Sequence, residues 1–325
     1  MQTTRIAGTG LTLSRLAFGC APVMGRVGRA AALRAMETAF DLGVTHFDVA
    51  RSYGYGDAEA VLGAFAAGKR DRITIATKFG IRTSARARGL RWLKPAVRQI
   101  ARHIPYARAT VRAISGKTLV AGHYGLADAR TSVEESLRQL RTDYADILLL
   151  HDCSPTDELR DEMLGYLQDL VKIGRIKAWG IATRPEWISP LCASLPVKPM
   201  IIQCGRDLIH PGRAAEDSHS GISTIYHSPF GSAGAPADFR QILAATALPS
   251  VLADIAQQIS TPAATARLLL EGAYFLAAGH PVLCSMFEPA HIRDNVDALE
   301  RPVFTPAQLS ALIDLFRARS LDGWR

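Results

Sequence analysis

The chain has 325 residues, of which 48% are hydrophobic and 21% charged, with a formal net charge of +8. That is ample apolar material for a large core, and no apolar run reaches the ~18 residues that a membrane-crossing helix needs. The opening MQTTRIAGTGLTLSRL lacks a charged-then-apolar leader pattern, and Cys20, Cys153, Cys192, Cys204 and Cys284 have no CxxC spacing, which argues against a zinc site and for reduced thiols in a cytoplasmic protein.

From the N-terminus, RIAGTGLTLS reads as a hairpin turning at Gly8-Thr9-Gly10, suited to plug the bottom of a barrel. Strand and helix then alternate. Strands are expected at 16–20, 45–49, 73–77, 147–150, 176–181, 200–203, 224–226 and 282–285. Most are short apolar runs without alternation, as parallel strands covered on both faces should be. Helical periodicity occupies 30–42, 58–65, 131–140, 157–173 and 289–299. The third of these opens with a cap-like Thr or Ser three residues before a Glu, and the fourth ends at Gly174. Eight strand–helix units predict one (β/α)8 TIM barrel spanning 1–325. A doubly wound open sheet is the rival, but the first strand, LAFGCAPVMG, carries no G-x-G-x-x-G.

After the third strand, residues from about 81 to 126 contain no strand. No Asp or Glu lies between Asp71 and Asp128, whereas Arg82, Arg86, Arg88, Arg91, Lys94, Arg98, Arg102, Arg108, Arg112 and Lys117 all do. Leu90, Leu93, Val97, Ile100 and Ile104 recur at helical steps between these charges, with Pro95 starting or interrupting the helix. This is a basic, partly helical insertion on the face where barrel active sites lie. A solvated helix over the rim is the plain reading; a lid over an anionic substrate and a membrane-surface contact are the sharper ones. Nucleic acid is not expected as a partner, since no aromatic interleaving accompanies the charge.

Ionisable side chains stand where strands end: Asp48 and Tyr53 in THFDVARSYG, Lys78 in ITIATKFG and His151 in ADILLLHD. Each alone has a duller explanation: a loop cap, a packing aromatic, a solvated amine, a structural imidazole. If the strands are neighbours in one barrel, all four groups meet at one mouth. A phenol titrates near pH 10, and Lys78 at its oxygen is expected to lower that value while Asp48 holds the ammonium in place. A neutral His151 would direct a substrate oxygen. The reaction that fits is reduction of a carbonyl by hydride, with Tyr53 supplying the proton.

These segments resemble the aldo-keto reductase family. FDVARSYGYGDAEAVLG, ITIATKFG and DYADILLLHD match the blocks that carry the family's catalytic Asp, Tyr, Lys and His, here Asp48, Tyr53, Lys78 and His151. The likeness runs from RIAGTGLTLS to PAHIRDNVDAL. It implies a (β/α)8 barrel, no metal, a small aldehyde or ketone as substrate, and a nicotinamide cofactor extended across the barrel mouth. Carried over residue by residue, it implies cofactor contacts at Thr183, where Ala182-Thr183 replaces a Ser-Asn pair, and at Gln203. His227-Ser228 stands for an aromatic pair that stacks on nicotinamide, with Tyr226 as substitute in a register shifted by one. Ser285 and His291 take the places of a Lys and an Arg near the 2′-phosphate, with Arg293 as a further charge, and Asp294 and Asn295 lie on the adenine side. Family habit favours NADP(H) over NAD(H). An NAD-linked sugar or alcohol dehydrogenase suits the missing lysine at Ser285. A cofactor-binding regulatory subunit, docking a partner or membrane through the basic insertion, is the alternative of another class.

Overall fold

The computed structural model describes residues 1–83, 119–211, 222–232, 234–244 and 248–321. The basic stretch expected to be partly helical falls mainly at 84–118, outside the described residues. A hairpin of β1 (Thr3–Arg5) and β2 (Thr12–Ser14) comes first. The barrel strands β3 (Leu16–Gly19), β4 (His46–Asp48) and β5 (Thr74–Phe79) follow. Against the expectation of no strand between about 81 and 126, a short antiparallel ladder of β6 (Arg82–Thr83) and β7 (Leu119–Val120) frames the undescribed interval; two residues a side are too few to leave a pattern in the sequence. Strands β8 (Ala145–His151), β9 (Ile176–Ala182), β10 (Ile201–Gly205), β11 (Ser223–His227) and β12 (Val282–Cys284) complete the chain's parallel set. β3, β4, β5, β8, β9, β10, β11 and β12 close into one barrel, as the strand–helix alternation predicts.

Helices cover the outside. Arg29–Asp41, Ala58–Ala66 and Pro289–Glu300 lie within a residue of expectation at each end. The helix expected at 131 instead begins five residues earlier and runs Leu126–Leu140. Thr131 does not cap it; its hydroxyl bonds the Ala127 carbonyl one turn back, a use of Thr inside a helix rather than at its start. The helix expected from 157 begins at Asp161 (Asp161–Lys172), because Ser154 and Asp157 close a local turn first: Asp157 accepts from the Ser154 N–H at 2.7 Å and from its hydroxyl at 2.8 Å. Pro185–Ser194, Ala235–Ala244, Pro262–Leu276 and Pro306–Leu321 are further helices. Among them, Thr261 caps Pro262–Leu276 by accepting from Ala264 N at 3.1 Å.

The two-residue period of the strands sorts the barrel interior into layers. Ala76, Ile147, Leu149, Ala178, Ile201 and Ile225 form a buried cluster with Ile6, Leu11 and Leu13 of the hairpin. The hairpin is therefore the plug that closes the barrel bottom, fixed there by the Thr4 hydroxyl on the Gly279 carbonyl and by Ala7 N on Ser223 Oγ at 3.0 Å. Burying its three apolar side chains is worth at most about 5–9 kcal/mol. One step of two residues along the same strands reaches Lys78 on β5, His151 on β8, Gln203 on β10 and His227 on β11. An apolar floor thus gives way to ionisable and polar side chains at the mouth.

Candidate active site

Asp48 ends β4 and faces Ala76 across the ladder to β5, so Lys78, two residues on, projects on the same side. Both are nearly sealed from solvent, at 1% and 2% exposure. The Lys78 ammonium donates to Asp48 Oδ1 and, at 3.2 Å, to the Val49 carbonyl. Asp48 Oδ2 accepts from Gln203 Nε2 at 2.7 Å, across the barrel from β10. The carboxylate is thereby compensated on both oxygens, as a buried charge must be.

After Asp48 the chain turns back through a short helical turn, Tyr53–Gly56, in which Gly54 has φ +59°. A Cβ at Gly54 would lie 2.6 Å from both the Val23 carbonyl and Met24 Cβ, so only glycine lets this turn pack against the loop after β3. The turn returns the Tyr53 hydroxyl to 3.5 Å from Lys78 Nζ. The His151 ring meets the Tyr53 ring edge-on, with centroids 5.7 Å apart. Four side chains separated by as much as a third of the chain therefore share one mouth.

The electrostatics of this cluster differ in one respect from expectation. Lys78 does pull the Tyr53 phenol down, but burial, the largest influence, and Asp48 push it up, and the net value lies above that of an ordinary tyrosine. The phenol is fully protonated at neutral pH. Burial works against the charge on Lys78, yet Asp48 and Tyr53 together outweigh it and hold the amine above its ordinary value. His151 is pushed down to about 3, by burial first and then by Lys78 and His227. His227 is pushed down to about 4 by burial and Lys78. Near pH 7 the mouth therefore holds, beside Asp48, one ammonium, a neutral phenol and two neutral imidazoles.

Residues 15–315 match the Aldo/keto reductase family. The chain belongs to that family. A 6-dehydroglucose reductase of Agrobacterium fabrum is 32% identical over 186 residues, which are 54% of this chain and 52% of that protein. The chain spans about half the length of the curated relatives it matches. Among solved structures, the holo form of an aldo-keto reductase from Bacillus halodurans superposes with a TM-score of 0.70 at 21% identity, covering 97% of this chain and 96% of that one. An aldo-keto reductase from Klebsiella pneumoniae in complex with NADPH gives a TM-score of 0.65 at 20% identity, covering 97% and 96%.

The residues expected to contact a dinucleotide lie at the ends of β9, β10, β11 and β12 and on the helix Pro289–Glu300 that follows. The buried Thr183 hydroxyl donates to the Cys153 carbonyl at 2.5 Å, which leaves its oxygen lone pairs as acceptors. Gln203 donates one amide hydrogen to Asp48 Oδ2, which joins it to the ionisable cluster and leaves its second N–H and its oxygen for a further partner. Between the two registers considered for β11, Tyr226 packs outward in the core beneath the helices, while His227 lies where Lys78 and Asp48 both act on it. Its Nδ1 lies 2.9 Å from Ser228 Oγ. Ser228 holds a φ of +59°, and Tyr55 (+60°) and Asp152 (+58°) are equally unusual at the same end of the barrel. Such backbone strain, about 1–3 kcal/mol each, gathers where a site is built.

Ser285 donates to the Gly19 carbonyl at 3.2 Å. His291, Arg293 and Asp294 are exposed on the first turns of Pro289–Glu300, whereas Asn295 is half-buried, its Nδ2 3.5 Å from Met286 Sδ. Among the described residues no side chain caps that helix start; Pro289 has no N–H to offer, and the N–H groups that follow it are left to solvent or to an anion. Hydroxyls, a neutral imidazole, an open helix start and a nearby Arg293 fit a phosphate-bearing dinucleotide.

Sequence reading missed several residues of the site. Glu59, fully buried, accepts from Thr77 Oγ1 at 2.6 Å and pairs with Arg51 at 2.8 Å, so a second ion pair braces the strand carrying Lys78. Cys20, also fully buried, donates its N–H to the Asp48 carbonyl at 2.8 Å. Tyr124 donates to the His151 carbonyl at 2.6 Å. None of these carries a local signal: each matters through a partner distant in sequence. Among the described residues there is no cluster of His, Cys, Asp or Glu able to hold a metal, and no helix long and apolar enough to cross a membrane.

Proposed function

We propose that this chain is an NADP(H)-dependent carbonyl reductase that converts a small aldehyde or ketone to an alcohol, with Asp48, Tyr53, Lys78 and His151 as its catalytic residues. The observation that carries the reading is the Tyr53 hydroxyl 3.5 Å from an ammonium that is itself clamped to a buried carboxylate. A bound reduced nicotinamide supplies the hydride to the carbonyl carbon. As negative charge develops on the carbonyl oxygen, Tyr53 transfers its phenolic proton to it. A phenol held above its ordinary pKa is a weak acid at rest, but it is protonated and ready, and an alkoxide is far more basic than a phenolate. Lys78, kept charged, stabilises the phenolate left behind; this stabilisation grows only as the proton leaves. Asp48 and Gln203 keep that ammonium from moving. His151, neutral, points the carbonyl oxygen at Tyr53 by a hydrogen bond.

For the dinucleotide, we assign Thr183, Gln203, His227 and Ser228 to the nicotinamide end and Ser285, His291, Asp294 and Asn295, with Arg293, to the adenosine end. The NADPH-bound Klebsiella structure supports the phosphorylated cofactor, as does the exposed Arg293. Among carbonyl substrates, the likeness to a 6-dehydroglucose reductase supports including oxidised sugars.

The test is cofactor consumption by the purified protein with NADPH or NADH and a panel of aliphatic, aromatic and sugar-derived aldehydes and ketones. NADPH is consumed with at least one of them, and Tyr53→Phe lowers kcat by about 10²–10⁴ with the NADPH dissociation constant unchanged. Equal rates for wild type and Tyr53→Phe would remove the mechanism; a tighter NADH than NADPH complex would remove the cofactor assignment.

A further inference from the structure

Tyr124 lies just after the basic insertion, on the arm by which the chain returns to the barrel. That arm is stapled to the exit of β5: Arg82 pairs with Val120 and Thr83 with Leu119, and His123 N donates to the Gly80 carbonyl at 3.1 Å. From this arm the Tyr124 side chain, 3% exposed, passes over Gly80 to the end of β8 and donates its hydroxyl to the His151 carbonyl at 2.6 Å. The passage requires glycine at 80. A Cβ there would lie 2.1 Å from Tyr124 Cε1, and Gly80 has a φ of +112°. The Phe79 ring flanks the phenol with centroids 6.3 Å apart. One side chain therefore ties the end of the strand carrying Lys78 to the residue whose imidazole faces Tyr53.

We infer that Tyr124 is a positioning residue for His151, and that the return arm 119–125, through its bonds to Gly80, Arg82 and Thr83, holds the phenol where it can do this. The inference rests on the reading of His151 as the group that directs the carbonyl. At the end of a strand, the His151 carbonyl has no backbone partner among the described residues to hold its peptide plane; the Tyr124 phenol supplies a partner. Rotation of that plane would swing the imidazole away from the Tyr53 ring. Burial, with Cys153, Asp157 and Asp152, keeps the Tyr124 hydroxyl protonated, so the donor persists at every working pH.

A double-mutant cycle tests this, using NADPH and the carbonyl that wild type reduces fastest. Tyr124→Phe keeps the ring and removes the donor. It should lower kcat/KM about five- to tenfold, the fold-change of one hydrogen bond, with the NADPH dissociation constant unchanged. In a His151→Gln background the same substitution should cost less than twofold, because the imidazole it positions is gone. The His151 ring ¹⁵N resonances should move in Tyr124→Phe. A silent Tyr124→Phe, or an equal loss in both backgrounds, overturns the inference while leaving the role of His151 standing. A silent His151→Gln overturns both. If Tyr124→Phe does not accumulate folded, fluorotyrosine at position 124 retunes the donor without removing it; unchanged His151 ring resonances then overturn the inference.

Discussion

Replacing Lys78 by Met removes the ammonium while keeping most of the side-chain volume, and it should damage stability and catalysis by separate amounts. Lys78 and Asp48 are both at most 2% exposed, so the substitution strands a buried carboxylate whose remaining partner is the Gln203 amide at 2.7 Å. Breaking such a pair from one side costs about 3–5 kcal/mol. For 325 residues, with an unfolding entropy of roughly 2.1 cal/mol/K per residue, Tm falls by about 4–7 °C. The catalytic loss comes from the phenolate. At 3.5 Å and an effective dielectric of about 20, the ammonium stabilises a full negative charge on the Tyr53 oxygen by roughly 5 kcal/mol. The charge is only partly formed in the transition state, so kcat should fall by about two to three orders of magnitude. Thermal melts and single-turnover rates with NADPH separate the two effects. Lys78 is held above its ordinary 10.5, so its contribution to stability is complete below that pH and is lost as pH climbs through the folded value. The Tm gap between wild type and Lys78→Met should therefore close in strongly alkaline buffer. A rate within tenfold of wild type, or a Tm gap that is absent near pH 7, would refute the reasoning.

Gly80→Ala introduces a Cβ 2.1 Å from the Tyr124 ring at a φ of +112°, so it should destabilise by roughly 2–6 kcal/mol, read from the urea midpoint; an unchanged midpoint would contradict the packing. Histidines set the acid limit. His46, fully buried and with no hydrogen bond at Nε2 among the described residues, is pushed down to about 4 by burial, as His151 is to about 3 and His227 to about 4. Their folded values lie below the unfolded one near 6.5, so the unfolded chain binds more protons as pH drops. Stability should be full above about pH 6.5 and decline steadily towards pH 4, which equilibrium denaturation across that range can check. For the same reason kcat/KM should show no His151-dependent inflection between pH 5 and 8; one near 6.5 that vanishes in His151→Gln would contradict the burial of that ring.

The barrel was legible because its signals are local. An apolar run such as ADILLLH is buried on both faces whatever its neighbours, and its polar end marks the rim. Helix starts were less legible: Thr131 is an apt cap by composition, yet its hydroxyl turns inward to Ala127. Lys78 and His151 could be assigned to one end of a barrel from chain order alone, since parallel strands all finish on the same side. Gln203 could be placed on its strand, but not its bond to Asp48, which spans 155 positions. Tyr124 was invisible, because its importance lies in a carbonyl 27 residues away and in a glycine that makes room for its ring.

Hydropathy and periodicity, which act over a few residues, determined by themselves that this chain is a β/α barrel with an acid, a phenol, an amine and an imidazole at strand ends. The tertiary structure alone decided which of these touch and in which direction burial and neighbours shift Tyr53, Lys78 and His151. The Tyr53 phenol shows why: Lys78 alone predicts a lowered pKa, but burial and Asp48 act on the same oxygen and reverse the sign. A sum of opposing influences, each falling off with distance and weighted by exclusion of water, exists only once the chain has closed on itself.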